Sequence, residues 1–199
     1  MFDDTELLTE RAAAGDAKAM ELLIERHLPS LRAYVRGRLG PELRAMESVS
    51  DVVQSTCREV LQNEGRFRHP SPTAFRRWLF TTAARKVADR LAHTRARKRD
   101  AGPTVRIGAV SGVDESRLFA CYERFSRPSH RAELQDELAR VEAALDRLSD
   151  EQREVLLLAR VADLPRSEIA EKLGKTDVAI RSILHRALAR LALELGEED

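Results

Sequence analysis

Residues 100–130 break every hydrophobic period that the chain keeps on either side of them. Gly102, Pro103, Gly108, Gly112 and Pro128 fall in this stretch, and only Leu118-Phe119-Ala120-Cys121-Tyr122 could form a brief helical turn. So long a structureless run is unusual inside a compact domain, and it predicts a flexible linker between two folded units. The 199 residues then divide into 1–99, a linker at 100–133, and 134–199. Ala, Leu, Arg and Glu dominate both flanks and aromatics make up only 5% of the chain, which favours helices over strands and several small cores over one thick sheet core. The expected fold class is all-α: two small helical domains joined by a flexible linker, the second containing a helix-turn-helix.

The apolar spacing supports this element by element. Leu7, Leu8, Ala19, Leu22 and Leu23 recur at helical spacing around Gly15-Asp16, where one helix ends and Asp16 can cap the next. Pro29 fits a short break or a first helical turn. Leu31, Tyr34, Val35 and Leu39 form another stripe, closed by Gly40-Pro41. Ser48 or Ser50 can cap a helix with Val52, Val53, Cys57, Val60 and Leu61 on one face. Residues 63–73 hold one Gly and two Pro and predict irregular structure; a helix over about 73–94 follows, with Phe75, Trp78, Leu79, Thr82, Val87 and Leu91 inward. Further on, Leu134, Leu138, Val141, Leu145 and Leu148 lead to Ser149-Asp150-Glu151-Gln152, a capping box.

Charge is unevenly spread. The net charge is only +1, yet residues 76–99 carry +8, with Asp89 alone opposing the bases, and residues 136–154 carry −4. Glu197-Glu198-Asp199 add an acidic tail. Such patterning predicts two surfaces with different partners, or acidic segments screening the basic one within the chain. Cys57 and Cys121 are far apart, no His cluster has metal-ligand spacing, and neither a metal nor a cofactor is expected. The acidic start Met1-Phe2-Asp3-Asp4 lacks a signal-peptide pattern and no apolar run reaches the ~20 residues of a membrane span, so a cytoplasmic location is expected.

The sharpest local signal lies at 164–191. Ile169, Ala170 and Leu173 face inward on a short helix, Gly174 offers the left-handed stop, and Thr176 caps a second helix packed through Ile180, Ile183, Leu184 and Leu188. The small Ala170 permits close approach of the two helices, as a helix-turn-helix requires. The second helix of such a unit enters the DNA major groove. Asp177, Arg181, Ser182 and His185 are its candidates for base edges; Lys175, Thr176 and Arg186 are better placed at the backbone.

Here the sequence resembles a known family. Residues 148–156 and the run Glu168-Ile169-Ala170 to Leu184-His185-Arg186-Ala187-Leu188 resemble the fourth conserved region of sigma-70 factors. Ser50-Asp51-Val52-Val53-Gln54-Ser55-Thr56 and Phe75-Arg76-Arg77-Trp78-Leu79 resemble signatures of the second conserved region. With no third region visible, the layout is similar to the extracytoplasmic-function group and to a branch common in planctomycete-like bacteria. The resemblance implies a promoter-reading subunit with no catalysis of its own. Asp51, Val52, Gln54 and Ser55 would dock on core RNA polymerase. Arg66, Phe67, Arg68, Arg76, Arg77, Arg85, Lys86 and Arg90 would hold the melted −10 element, and the helix over 177–190 would read duplex DNA at the −35 element. An anti-sigma factor is a further partner of such proteins.

The residues alone leave other readings open. Asp51 and Gln54 by themselves are a solvated helix face. Trp78 reads as core, while Phe67 could equally stack on DNA or pack within its loop. Arg85 stands where relatives have Asn, Ala92 where Arg is common, Pro165 where the first helix of the unit is usually capped by Ser or Thr, and Asp177 puts an acid at the head of the reading helix. The main alternative is a free-standing helix-turn-helix regulator, which leaves the Asp-Val-Val-Gln and Trp-Leu motifs unexplained. A nuclease would need clustered carboxylates or a His pair near the basic block, and the sequence offers none there. A purely structural helical protein leaves the basic block idle.

Overall fold

The computed structural model describes residues 4–40, 44, 49–97 and 135–196. The expected linker, the acidic tail, Cys121 and Ser48 lie outside them. Among the described residues there are eight α-helices and no strand: α1 (Asp4–Ala13), α2 (Ala17–Arg38), α3 (Val49–Gln62), α4 (Pro72–Arg97), α5 (Gln135–Asp146), α6 (Asp150–Arg160), α7 (Arg166–Leu173) and α8 (Asp177–Gly196).

The local punctuation acts as its chemistry dictates. Gly15, at φ +92°, turns the chain after α1, and Asp16 caps α2 by accepting from the N–H groups of Lys18 and Ala19 at 2.9 and 3.1 Å. Ser149 and Gln152 exchange side-chain and backbone bonds at 3.2 and 3.1 Å, closing the capping box of α6. Ser71 accepts from Ala74 N–H at 3.1 Å, so α4 begins at Pro72, where the missing N–H costs nothing. Pro29 makes no break: α2 runs through it. Leu23, Ile24, Leu31, Tyr34 and Val35 are buried on both sides of Pro29, which itself lies on the exposed side, so packing carries the helix past the absent donor.

α1 to α4 form one bundle around Leu23, Tyr34, Phe75, Leu79 and Phe80; α5 to α8 form a second around Leu145, Leu156, Ile169 and Ile180. On α3 the inward face is Val52, Val53, Thr56 and Val60, with Cys57 half-buried; Leu61, expected inward, is 37% exposed. Burial raises the Cys57 thiol pKa and keeps the group protonated. The two bundles are in contact with each other. α2 packs against α6, and buried side chains of both bundles join in one apolar cluster. Gly37 makes this approach possible: a Cβ there would stand 2.9 Å from Leu157 Cδ2.

His27 is a buried titratable group of the first bundle. Its ring lies 5.2 Å from that of Phe75, and its Nδ1 is 2.8 Å from the Leu23 carbonyl oxygen, to which it donates in the neutral tautomer. Burial lowers its pKa below the ordinary 6.5. The unfolded chain therefore binds a proton first on acidification. The stability this contributes is full above the ordinary value and is lost as pH falls through it toward the lower folded value. Urea midpoints should fall from about pH 7 to about pH 5.5, and His27→Phe should flatten that dependence; an equally steep profile in the variant refutes the assignment.

Candidate nucleic-acid and polymerase interface

Three surfaces carry the candidate residues. The first is the solvent face of α8. Gly174, in the left-handed region at φ +62°, ends α7, and Lys175 N–H bonds back to the Ala170 carbonyl at 2.9 Å. Pro165 precedes α7 without any side-chain cap, as its chemistry requires. Thr176 then starts α8 by accepting from Ala179 N–H at 3.2 Å. Ile180, Ile183, Leu184 and Ala187 are buried, which turns Arg181, Ser182, His185 and Arg186 outward. Lys175 pairs with Glu151 at 2.7 Å, Asp177 lies 3.7 Å from Arg166, and Arg186 Nε donates to the Ser182 carbonyl at 3.3 Å. The sequence reading missed Val178. It is 67% exposed and shares the face of Arg181, Ser182 and His185 at three-, four- and seven-residue spacing. An apolar residue in a polar row is its only sequence signal.

The second surface surrounds the short 3-10 turn Glu64–Arg66 and α4. Arg66 and Arg68 are exposed, but Phe67 between them is 5% exposed. Its ring stacks on Trp78 at 5.7 Å and 10° and meets Phe75 edge-on at 5.7 Å. Of the two roles open to Phe67, this arrangement uses its ring for packing, and the ring is not offered to a base. Trp78 is half-buried in the same cluster, as expected of a core residue. The basic block is less free than its +8 charge implies. Arg85 and Lys86 both pair with Glu59 of α3, Lys86 at 2.7 Å. Arg90 is exposed on the same helix.

The docking candidates divide in the same way. Asp51 and Gln54 are exposed on α3 and Ser55 is half-buried beside them. Val52 is 1% exposed in the core, so the structure corrects its assignment to a contact surface. A β-branched apolar residue one position after an exposed acid falls on the inward face of the helix.

The third surface is the seam between the bundles, where charge pairing within the chain is one of the two readings of its charge pattern. Arg77 donates to the Glu171 carboxylate at 2.9 and 2.6 Å and stands 2.8 Å from Glu168, while Arg76 lies 3.3 Å from Asp163. The bond to Arg77 holds the Glu171 carboxyl below its ordinary pKa and raises that of Arg77. Lys172 reaches Thr81 at 3.4 Å, and burial lowers its pKa. Deeper in the seam Tyr34 donates to Glu154 at 3.0 Å and Arg38 pairs with Glu154 at 2.6 Å; burial pushes the Tyr34 phenol well up. Arg36 and Arg44 bond Glu142 and Asp146. Acids of 136–154 thus do meet bases across the seam, but on α2 and at Arg44. Across the seam, the carboxylates that meet the basic block lie at 163–171. Such partners stand some 90 to 120 residues apart in sequence, beyond the reach of any local pattern.

Comparison with known proteins agrees with this geometry. Residues 23–97 match the family description Sigma-70 region 2, and residues 138–191 match Sigma-70, region 4. The chain is 31% identical over 190 residues to the ECF RNA polymerase sigma factor SigD of Mycobacterium tuberculosis, covering 96% of this chain and 83% of that protein. It is 31% identical to the ECF RNA polymerase sigma factor ShbA of Streptomyces griseus, covering 92% and 91%. The solved structure of CnrH in complex with the cytosolic domain of CnrY is similar with a TM-score of 0.62 and 27% identity, over 99% of this chain and 100% of that one.

The geometry gives Thr176 a structural duty besides any backbone contact. Thr176→Ala should cost about 1 kcal/mol of stability in chemical denaturation, and Thr176→Ser should restore most of it. No loss in the alanine variant would remove the cap from the account of α8.

Proposed function

The chain belongs to the extracytoplasmic-function group of the sigma-70 family and is a promoter-recognising RNA polymerase sigma factor; from that premise we propose how its surfaces divide the work. The outward face of α8 reads the −35 element in the major groove. The observation that carries this is the row Val178, Arg181, Ser182 and His185, exposed together while the opposite side of α8 is locked in the core. Arg181 is the candidate for bidentate contact with guanine, Val178 for apolar contact with a thymine methyl, and Ser182 and His185 for neighbouring edges. Lys175, Thr176 and Arg186 hold phosphates beside them, and Asp177 sets the helix start against the positive end of its dipole.

In the first domain Arg66, Arg68, Arg76, Arg77, Arg85, Lys86 and Arg90 grip the backbone of the melted −10 element, exchanging carboxylate partners for phosphates. Phe67 contributes by holding the turn against Trp78, so that Arg66 and Arg68 project from a fixed base. Asp51, Gln54 and Ser55 dock on core polymerase. The reading places the protein in the cytoplasm, without catalysis, with core polymerase and with duplex and melted promoter DNA as partners. An anti-sigma partner is supported by the similarity to CnrH, which was solved with a domain of another protein upon it. The finer placement in a branch common in planctomycete-like bacteria rests on the sequence resemblance alone.

Run-off transcription with purified core polymerase and genomic promoter fragments tests the division of labour. Protein-dependent transcripts from a limited promoter set are expected, and they map both elements; operator binding without any transcript would favour the free-standing regulator. On the mapped promoter Arg181→Ala should lower discrimination against a mismatched −35 base by about 1–3 kcal/mol. Equal weakening on all sequences would move Arg181 to the phosphates. Asp51→Arg should weaken polymerase pull-down while leaving −35 duplex binding by the protein intact; an unchanged pull-down would sink the docking assignment.

A further inference from the structure

Four large apolar side chains are exposed among the described residues: Leu7 on α1, Leu22 on α2, Leu61 on α3 and Val178 on α8. Val178 is the most exposed of them, at 67%. It takes no part in the apolar cluster of the two bundles. Nor does it serve the helix, since a β-branched residue at an exposed helical site is a weaker helix former than Ala, Gln or Arg. A lone apolar residue on a surface is ordinary; the position of Val178 is what gives it meaning. It lies in the first turn of α8, and the second helix of a helix-turn-helix brings its N-terminal residues to the base edges.

The neighbours of Val178 decide which part of DNA that turn can face. Asp177 places a carboxylate beside it, 3.7 Å from Arg166. A carboxylate is repelled by phosphate and an aliphatic group gives phosphate no hydrogen bond, so the start of α8 suits base edges and not the backbone. One turn on, Arg181 and Ser182 share the face of Val178. Residues three apart on a helix stand about 5–6 Å from each other at Cβ, against a base-pair rise of about 3.4 Å. Val178 therefore lies over base pairs adjoining the one that Arg181 reads. The groups that set the major-groove code are hydrogen-bond donors and acceptors, with one exception: the methyl on C5 of a pyrimidine. Against a donor or acceptor Val178 would displace water and replace no bond. The methyl is the one group of the code that it matches.

We propose that Val178 reads the C5 methyl of one pyrimidine in the −35 element, and that binding to the element therefore responds to methylation at that carbon. This rests on the −35 reading of α8 and deepens it. Two bases carry the methyl on the same edge: thymine, and cytosine methylated at C5. An apolar side chain that packs on the methyl gains from either, and gains nothing from uracil or unmodified cytosine. With thymine, Val178 fixes one base of the promoter. With methylated cytosine, it makes use of the promoter conditional on a modification of the DNA, so the control acts on the template while the protein stays unchanged.

The test uses the full chain assembled with core polymerase, on a promoter mapped by run-off transcription, with the C5 methyl as the only variable in the −35 element. Each thymine on either strand is replaced in turn by uracil, and each cytosine by 5-methylcytosine. Wild type, Val178→Ser and Val178→Ala are titrated against every duplex. At one position the methyl should tighten wild-type binding about three- to five-fold, the gain expected from burying one methyl group. Val178→Ser should bind the two members of that pair alike, and Val178→Ala should keep at most a fraction of the gain. Alanine forms helix better than valine, so a loss shared by Val178→Ala is not a loss of α8. A sensitive uracil position identifies thymine as the source of the methyl, and a sensitive 5-methylcytosine position identifies modified DNA. A flat scan in the wild type would overturn the assignment, as would a methyl effect that Val178→Ser leaves at full size. Failure of the underlying reading looks different: a wild-type assembly with no preference for the −35 element over a scrambled one defeats the role of α8 itself, whereas a preference with a flat scan defeats the role of Val178 alone.

Discussion

Glu154 is charged, almost fully buried, and placed where the two bundles meet. A buried carboxylate persists only if its partners replace the water it has lost. Here they come from one turn of α2: the Tyr34 hydroxyl at 3.0 Å and the Arg38 guanidinium at 2.6 Å. The two residues are four apart on one helix face, so once α2 forms they are presented together. Around them Gly37 admits Leu157, and Arg153, itself 6% exposed, donates to the Leu145 carbonyl at 2.9 Å and fixes α5 against α6. Removing Glu154 alone would leave the half-buried Arg38 without its carboxylate and the buried Tyr34 hydroxyl without its acceptor. The closed arrangement thus depends on a polar pairing that specifies register, set in an apolar seam that supplies the burial.

What was legible in the sequence is what depends on near neighbours along the chain. Asp16, Ser149, Gly174 and Thr176 cap or end the helices they were expected to, because each acts within about four residues of itself. The helix-turn-helix followed from the same grammar, and the inward positions of α8 followed from its period. Pro29 and Phe80 mark where local reading stops. Pro29 punctuates a peptide but not a helix whose flanking turns are buried on one stripe. Phe80 follows Leu79 directly, and one face cannot hold both by periodicity; α4 buries both because it lies between α2 and α3 and is covered on two sides.

The candidate site divides along the same line. Exposure on α8 was readable, since a helix with one buried face must show the other, and Arg181, Ser182 and His185 lie where the period puts them. Val52 and Phe67 were assigned to surfaces through a motif, and a motif marks a segment without saying which of its side chains faces in. The basic block was misjudged in a more general way. Summing charge over 76–99 counts sources of potential, but the field outside depends on where opposing charges are folded. Glu59 on α3 and Glu168 and Glu171 on α7 lie outside that window and pair with three of its cations, Arg85, Lys86 and Arg77.

That neutralisation bears on how a chain of net charge +1 can bind a polyanion at all. Counterion release requires cations that exchange one anion for another; it does not require a net excess of them. An arginine already paired with a carboxylate loses that pairing when it takes a phosphate, so its contribution to affinity is the difference between two similar contacts. On the proposed reading, Arg77 would trade Glu168 and Glu171 for a phosphate, an exchange of one anion for another that needs no excess of positive charge on the chain as a whole.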